Sequence, residues 1–197
     1  MITPKIVSEP KWKSYIVKSL TPIFTPYECK EIIEIGNKLP QLDANIGLGK
    51  TSQDYSKRKT DIAWIPFDKM PDKYEILDDW GMKINNNHFG FDPLQIGEMA
   101  QFTKYSKEHH YDWHTDSAIL FDVQPPVRKL TMVTMLSDPK DFTGGELQII
   151  DDTKENTLSL KQGEAIFFAS FIRHRVLAIT SGIRISMPIW FGGTPLR

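Results

Sequence analysis

The segment from His109 to Asp116, read HHYDWHTD, places three of the chain's five histidines and two carboxylates within eight positions. Neutral imidazoles and carboxylates bind divalent metals and also serve as general acids and bases. In an extended strand, residues two apart point to the same face. His114 and Asp116 then project an imidazole and a carboxylate into one space, which begins a metal site without completing it. His110, Asp112, His114 and Asp116 share that parity. As a stripe they spread along the strand at ~3.3 Å per residue, too far for one ion with bonds near ~2 Å.

A third ligand must therefore come from elsewhere, and the histidines can be enumerated. His88, in NNNHFGF after a predicted helix, reads as a solvated loop residue. His109 and His110 lie too close in sequence to turn back onto an ion held by His114. His174 remains, at the start of a strand that follows an apolar strand and a short loop. Two imidazoles and one carboxylate form the facial triad of non-haem Fe(II) oxygenases, with three adjacent coordination positions left open.

An oxygenase of that type needs an electron-donating co-substrate. Arg184 follows His174 by ten residues and stands between Ile183 and Ile185 in a predicted core strand. A buried guanidinium without an anion is costly. Its partner is either an internal carboxylate or a ligand carboxylate gripped by the planar fork. Ser186, on the same strand face, offers a further hydroxyl.

The elements that must position these groups show as a change of texture along the chain. TPYECKEIIEIGNKL carries a helix start: Thr25 as cap, Pro26 in the first turn, Glu28 closing a capping box. TDIAWIPF predicts a strand, and DKYEILDDWGMKIN a second helix with Tyr74, Leu77 and Ile84 on one face. QLDANIGLGKTSQDYSKRK between them reads as a long polar loop, its stretch 47–58 either a mobile lid or a passive surface loop. From about residue 95, QIGEMAQFTKY, RKLTMVTMLS, GELQII, LSL, EAIFFAS, HRVLAI and RISMPIWF predict seven or eight short strands. Helices followed by short strands imply a mainly β chain with flanking helices, a sandwich or jelly roll with the helices packed outside.

At 197 residues, 40% hydrophobic and 25% charged, the chain fits one domain with a sizeable core. A helical N-terminal part to about residue 92 and a β core over about 93–197 are expected within it. The net charge of −1 supplies no basic footprint for nucleic acid or an anionic membrane. A single cysteine, Cys29, excludes an intrachain disulfide and a cysteine-rich zinc site. With no apolar run long enough to span a bilayer and no apolar leader at the start, a cytoplasmic location is expected.

Taken together, these residues resemble the Fe(II)/2-oxoglutarate-dependent dioxygenases, and within them the prolyl 4-hydroxylase-like branch with its PKHD-type hydroxylases. LTPIFTPYECKEII resembles the entry helix of that family, RKTDIAWIP its arginine-to-tryptophan strand, and QFTKYSKEHHYDWHTD the tyrosine strand leading to His-x-Asp. LSDPKDFTGGELQI and HRVLAITSGIR are similar as well. The resemblance implies a double-stranded β-helix, iron held by His114, Asp116 and His174, and 2-oxoglutarate with its distal carboxylate on Arg184. It places Tyr105 beside the co-substrate and Tyr111 near the prime substrate; the residues themselves offer Ser186 as a further co-substrate contact and Trp113 as a groove or core aromatic. Fe(II), 2-oxoglutarate and O2 would be required, with ascorbate as reductant, and the substrate would be an amino-acid side chain, most of all proline in a peptide or protein.

Other readings stay open. Nucleobase demethylases of the same superfamily resemble HRVLAITSGIRISM but carry a second arginine where this chain has Trp190. A small-metabolite hydroxylase fits the same residues. An inactive jelly-roll binding module predicts damaged ligands, and none is damaged here. A hydrolytic zinc site lacks an evident general base. Gly144-Gly145 reads as a tight turn entering a strand, and Trp64 and Phe142 as groove or core aromatics.

Overall fold

The computed structural model describes residues 14–43, 54–92, 94–117, 126–151 and 153–195. In chain order the strands are β1 (Ile16–Lys18), β2 (Leu42–Asp43), β3 (Arg58–Lys59), β4 (Asp61–Ile65), β5 (Gln95–Ile96), β6 (Ala100–Tyr105), β7 (His110–His114) and β8 (Val127–Met135). They continue as β9 (Phe142–Gly144), β10 (Leu147–Asp151), β11 (Lys154–Leu158), β12 (Ala165–Ala169), β13 (His174–Val176), β14 (Ile179–Gly182) and β15 (Arg184–Gly193). Two helices, α1 (Pro26–Lys38) and α2 (Pro71–Ile84), precede most of them. The larger sheet runs β1-β12-β8-β15-β6-β4-β2 with β5 on β15. The smaller runs β11-β10-β13-β7-β3, and β14 pairs with β9 apart from both. The neighbouring strands are antiparallel, and the two sheets form the expected jelly roll.

Alternation along β15 decides what each face does. Ile185, Met187, Ile189 and Phe191 belong to the core shared with the helices, so Arg184, Ser186 and Trp190 face the interior between the sheets. That interior is lined by Tyr105, Val133, Met135, Leu147, Ile149, Ile166, Phe168, Val176 and Ile179. α1 begins as its residues predict: Glu28 N–H donates to Thr25 Oγ1 at 3.2 Å and Thr25 N–H to Glu28 Oε2 at 2.8 Å. Both helices reach the sheet through glycines. A β-carbon on Gly36 would enter the Phe102 ring, and one on Gly81 the Phe191 ring.

Several boundaries differ from the sequence reading. The N-terminal part is not simply helical: besides the expected strand β4, the short β1, β2 and β3 are built into the sheet edges, too short to show a periodicity in the sequence. LSL was placed as a strand, but the strand is the exposed segment before it, Lys154–Leu158, paired along its length with β10. HRVLAI is two strands in different sheets, β13 and β14. The stretch 47–58, read as a lid or a passive loop, falls mostly outside the described residues; Arg58, at its end, is in β3. His88 sits in a π-helical turn, Asn85–Phe89, not in a loop.

Candidate metal centre

β7 and β13 lie side by side with His114 opposite His174, and a bulge falls between that pair and the Val176–Tyr111 pair. Three residues of β7 therefore span two of β13. Asp116 lies past the end of β7, so strand alternation does not bring it beside His114. Its backbone does: the N–H groups of Asp116 and Ser117 both donate to the Ser170 carbonyl at 2.9 Å. That grip turns the chain inward just after β12.

The result is a compact three-residue cluster. His114 Nε2 lies 3.6 Å from Asp116 Oδ1, and His174 Nε2 lies 3.6 Å from Asp116 Oδ2. One ligand atom from each residue falls within 4.8 Å of the others, so a common centre sits no more than about 2.8 Å from all three. Closing to metal bonds of ~2.0–2.2 Å asks for shifts well under an ångström. The side chains are 15%, 8% and 6% exposed for His114, Asp116 and His174.

Each ring is oriented by a backbone carbonyl. His114 Nδ1 contacts the Asp112 carbonyl at 2.8 Å and His174 Nδ1 the Ile172 carbonyl at 3.0 Å. A carbonyl only accepts, so both rings carry the proton on Nδ1 and leave the Nε2 lone pair for the shared point. Asp116 Oδ2 accepts from the Thr131 hydroxyl at 2.8 Å, and Thr131 in turn accepts from Ser170 Oγ at 2.9 Å. Burial raises the Asp116 carboxyl, but His174, His114, Trp190 and Thr131 together outweigh it and hold it below the ordinary carboxylate range. The Trp190 indole N–H lies on this side without reaching hydrogen-bond geometry to any group. Burial, then the neighbouring His174, pushes His114 down to about 3.

Behind the cluster, Arg184 is 1% exposed and pairs across strands with Tyr105, whose ring lies 5.4 Å from its guanidinium carbon. Nη1 donates to Ser186 Oγ at 2.8 Å, while Nε is buried with no acceptor. Among the described residues no carboxylate approaches Arg184 within 4.0 Å. Burial lowers its proton affinity, opposed only by Tyr105 and Glu146, the latter exposed. The internal-carboxylate partner considered for Arg184 is thus absent among the described residues. A fork with a free buried N–H suits an incoming carboxylate.

The other expected residues are placed as follows. Tyr111 stacks flat on His114, centroids 3.4 Å apart and planes 11° apart. Trp113 is not brought to the cluster: it packs with Arg175 and Arg173, at 4.5 Å and 5.9 Å, on the outer face of the smaller sheet. The bulge makes this difference, turning Tyr111 inward and Trp113 outward. Phe142 packs against the interior core. Trp64 faces Trp190 at 6.0 Å, and Arg128 lies 3.8 Å over Trp190 while its Nε and Nη2 donate to the two Glu98 carboxylate oxygens at 2.6 Å each. Thr131, Ser170, Arg58 and Arg128 were not anticipated. Polar residues within an otherwise apolar strand, as Thr131 and Thr134 are in RKLTMVTMLS, were the available signal.

Comparison with known proteins agrees with this geometry. Residues 100–192 match the model of the 2OG-Fe(II) oxygenase superfamily. A PKHD-type hydroxylase of Xylella fastidiosa strain M12 is 32% identical over 97 residues, covering 46% of this chain and 42% of that protein. One from Hyphomonas neptunium is 36% identical over 93 residues, covering 46% and 41%. The chain thus matches about two-fifths of the length of these relatives. Its fold is shared by the viral collagen prolyl hydroxylase of Paramecium bursaria Chlorella virus-1, solved with 2OG, at a TM-score of 0.66, 23% identity and coverage of 92% and 97%. It is also shared by a Trichoplax adhaerens prolyl hydroxylase solved with a hypoxia-inducible-factor peptide, at 0.72, 15%, and 91% and 84%. The matched segment, the double-stranded β-helix and the two-histidine, one-aspartate cluster thus agree in making residues 100–192 of this chain similar to the 2OG-Fe(II) oxygenase superfamily.

Proposed function

We propose that the chain is an Fe(II)- and 2-oxoglutarate-dependent dioxygenase that hydroxylates an amino-acid side chain, proline in a peptide or protein. The observation that carries this reading is Arg184: a buried guanidinium with one N–H unmet, set behind three convergent metal-binding side chains. A buried cation with an unmet N–H beside such a cluster suits a dicarboxylate whose other end can reach a metal.

His114, Asp116 and His174 would hold the iron, the imidazoles through Nε2 and the carboxylate in the orientation set by Thr131. Arg184, with Ser186 beside it, would bind the distal carboxylate of 2-oxoglutarate, and Tyr105 would wall that end of the pocket. Iron with 2-oxoglutarate and oxygen supplies an oxidative decarboxylation, to succinate and CO2, that is coupled to hydroxylation of the substrate. The apolar interior formed by Val133, Met135, Leu147, Ile149 and Phe168 excludes water from that chemistry. Tyr111 and the Trp64–Trp190 pair stand on the substrate side. The peptide preference draws on the shared fold of prolyl hydroxylases, one of them solved with a peptide, and on a net charge of −1, which supplies no overall basic field for a nucleic acid.

The test is succinate release from 2-oxoglutarate with Fe(II), ascorbate and oxygen, followed by product mass. Proline-containing peptides should gain 16 Da (~16, one oxygen atom), and methylated oligonucleotides should stay unchanged. Demethylated oligonucleotide without peptide oxidation would reject the substrate and leave the iron site standing.

A further inference from the structure

We infer that Arg58 is a positioning residue for the metal centre: it clamps Tyr111 flat on His114 and so fixes the direction of the His114 Nε2 lone pair. The inference rests on the metal-centre reading given above.

The observations form a continuous stack. Arg58 in β3 is the register partner of Tyr111 in β7. Its guanidinium carbon lies 4.3 Å over the Tyr111 ring. Tyr111 lies 3.4 Å from the His114 ring and nearly parallel to it. His114 also meets the His174 ring, at 4.1 Å and tilted by 56°, and His174 meets Phe168 at 4.7 Å. In a regular strand Tyr111 and His114 would face opposite ways; the β7 bulge puts both inward.

His114 has one remaining freedom. Its Nδ1 is held by the Asp112 carbonyl, and rotation of the ring about that contact would swing Nε2 away from Asp116. The flat phenol prevents that rotation only if it cannot itself leave. Arg58 keeps it there, and Arg58 is tethered in turn, since its Nη2 donates to Gln101 Oε1 at 3.0 Å. Gln101 belongs to β6 of the larger sheet, so the stack is closed by a strut between the two sheets. The Arg58 Nε is buried without an acceptor, so among the described residues its side chain is held by the Tyr111 face and the Gln101 hydrogen bond.

Charge and packing make opposite predictions here. A guanidinium near a cation site repels the cation, so on charge alone its removal tightens metal binding. If Arg58 positions His114, its removal weakens binding. The experiment uses the full chain and Co(II) alone, without 2-oxoglutarate or substrate, reading the dissociation constant and the visible ligand-field spectrum. Arg58→Met should weaken Co(II) about 10–100-fold, the range for losing an outer partner of a metal ligand. It should also alter the spectrum. Arg58→Lys, which keeps charge and loses the plane, should not rescue it. Tyr111→Phe should bind as wild type does and Tyr111→Leu should be weak. In the Tyr111→Leu background Arg58→Met should add nothing, because the two act as one unit.

Thermal unfolding checks that each variant folds. Should Arg58→Met fail to fold, Gln101→Leu cuts the tether and should weaken Co(II) in the same direction by less. Unchanged or tighter Co(II) binding in a folded Arg58 variant overturns the inference, including the case in which only the prime-substrate KM rises. Additive losses in the double variant overturn it too. Wild-type protein that binds no Co(II) instead removes the metal-centre reading itself, and the two failures are thereby told apart.

Discussion

A β-carbon placed on Gly145 would lie 2.9 Å from Cδ of Arg184 and would also enter the Ile179 side chain. The second glycine of FTGGELQI is therefore the empty space in which the arginine stem lies. Gly145 also has φ +70°, a region other residues enter at a cost of roughly 1–2 kcal/mol. Gly144, with φ +77°, faces the Ala178 carbonyl in the same way.

Gly145→Ala should lower the unfolding temperature and weaken 2-oxoglutarate binding, because the arginine must move to admit the methyl. Co(II) affinity should hold, since no metal-binding residue touches Gly145. Calorimetric titrations of both ligands check this. Equal losses for metal and 2-oxoglutarate would show a general disruption instead of a displaced Arg184.

Arg184→Met should stabilise the ligand-free protein while abolishing the response to 2-oxoglutarate. A buried guanidinium with an unmet N–H costs about 1–3 kcal/mol that an apolar side chain of similar length does not. Arg184→Lys should bind 2-oxoglutarate with intermediate strength, keeping charge but losing the fork. Denaturant unfolding with and without 2-oxoglutarate gives both quantities. A destabilised Arg184→Met protein would mean that the charge is satisfied from within.

The fold class and the three convergent side chains were legible because few residues could do the chemistry. Five histidines left one candidate to complete the triad, and one arginine stood alone in an apolar strand. The reason given for His114 and Asp116 was different from the one the structure shows. Alternation predicted a shared strand face, yet Asp116 lies past the strand and is turned in by the Ser170 carbonyl. A bulge cannot be read from alternation, so Tyr111 and Trp113 looked equivalent and are not. Thr131, Arg58 and Gln101 escaped notice because their roles come from strands distant in sequence, and a single residue's type does not announce such a neighbour.

The metal-free protein should lose stability on mild acidification through His114. Burial and His174 push that imidazole down to about 3 in the folded state, whereas the unfolded chain protonates near ~6.5. Between those values the unfolded state holds a proton that the native state does not. Stability is therefore full above about pH 6.5 and falls as the pH drops toward 3, by an amount on the order of several kcal/mol at the acid end. Asp116, held low in the folded state, contributes in the same direction at lower pH. Its share is present above ~3.9 and is lost as pH falls through its folded value. Urea unfolding at a series of pH values from 7.5 to 4 (roughly the neutral-to-acid window) should show the slope, and His114→Gln should flatten it. An unchanged slope in His114→Gln would assign the effect to other groups.

Thr131 supplies the sharpest test of how Asp116 is held. Its hydroxyl gives its only proton to Asp116 Oδ2 and receives one from Ser170 Oγ, and all three groups lie in the buried floor of the site. Thr131→Val keeps the shape of the side chain and removes both bonds. The carboxylate then loses the donor that sets its rotation, and Ser170 is left with a buried hydroxyl proton and no acceptor. Co(II) binding should weaken about 10–100-fold, and stability should fall by about 1–3 kcal/mol for the stranded hydroxyl. Removing both partners, as in Thr131→Val with Ser170→Ala, should recover much of the stability and none of the metal affinity, since the cost to folding is the unmet proton and the cost to the metal is a free-swinging Asp116. Thr131→Ser, which restores the relay, should recover metal affinity. Metal binding that is unaffected in Thr131→Val would show that Asp116 is oriented by the two backbone bonds to Ser170 alone.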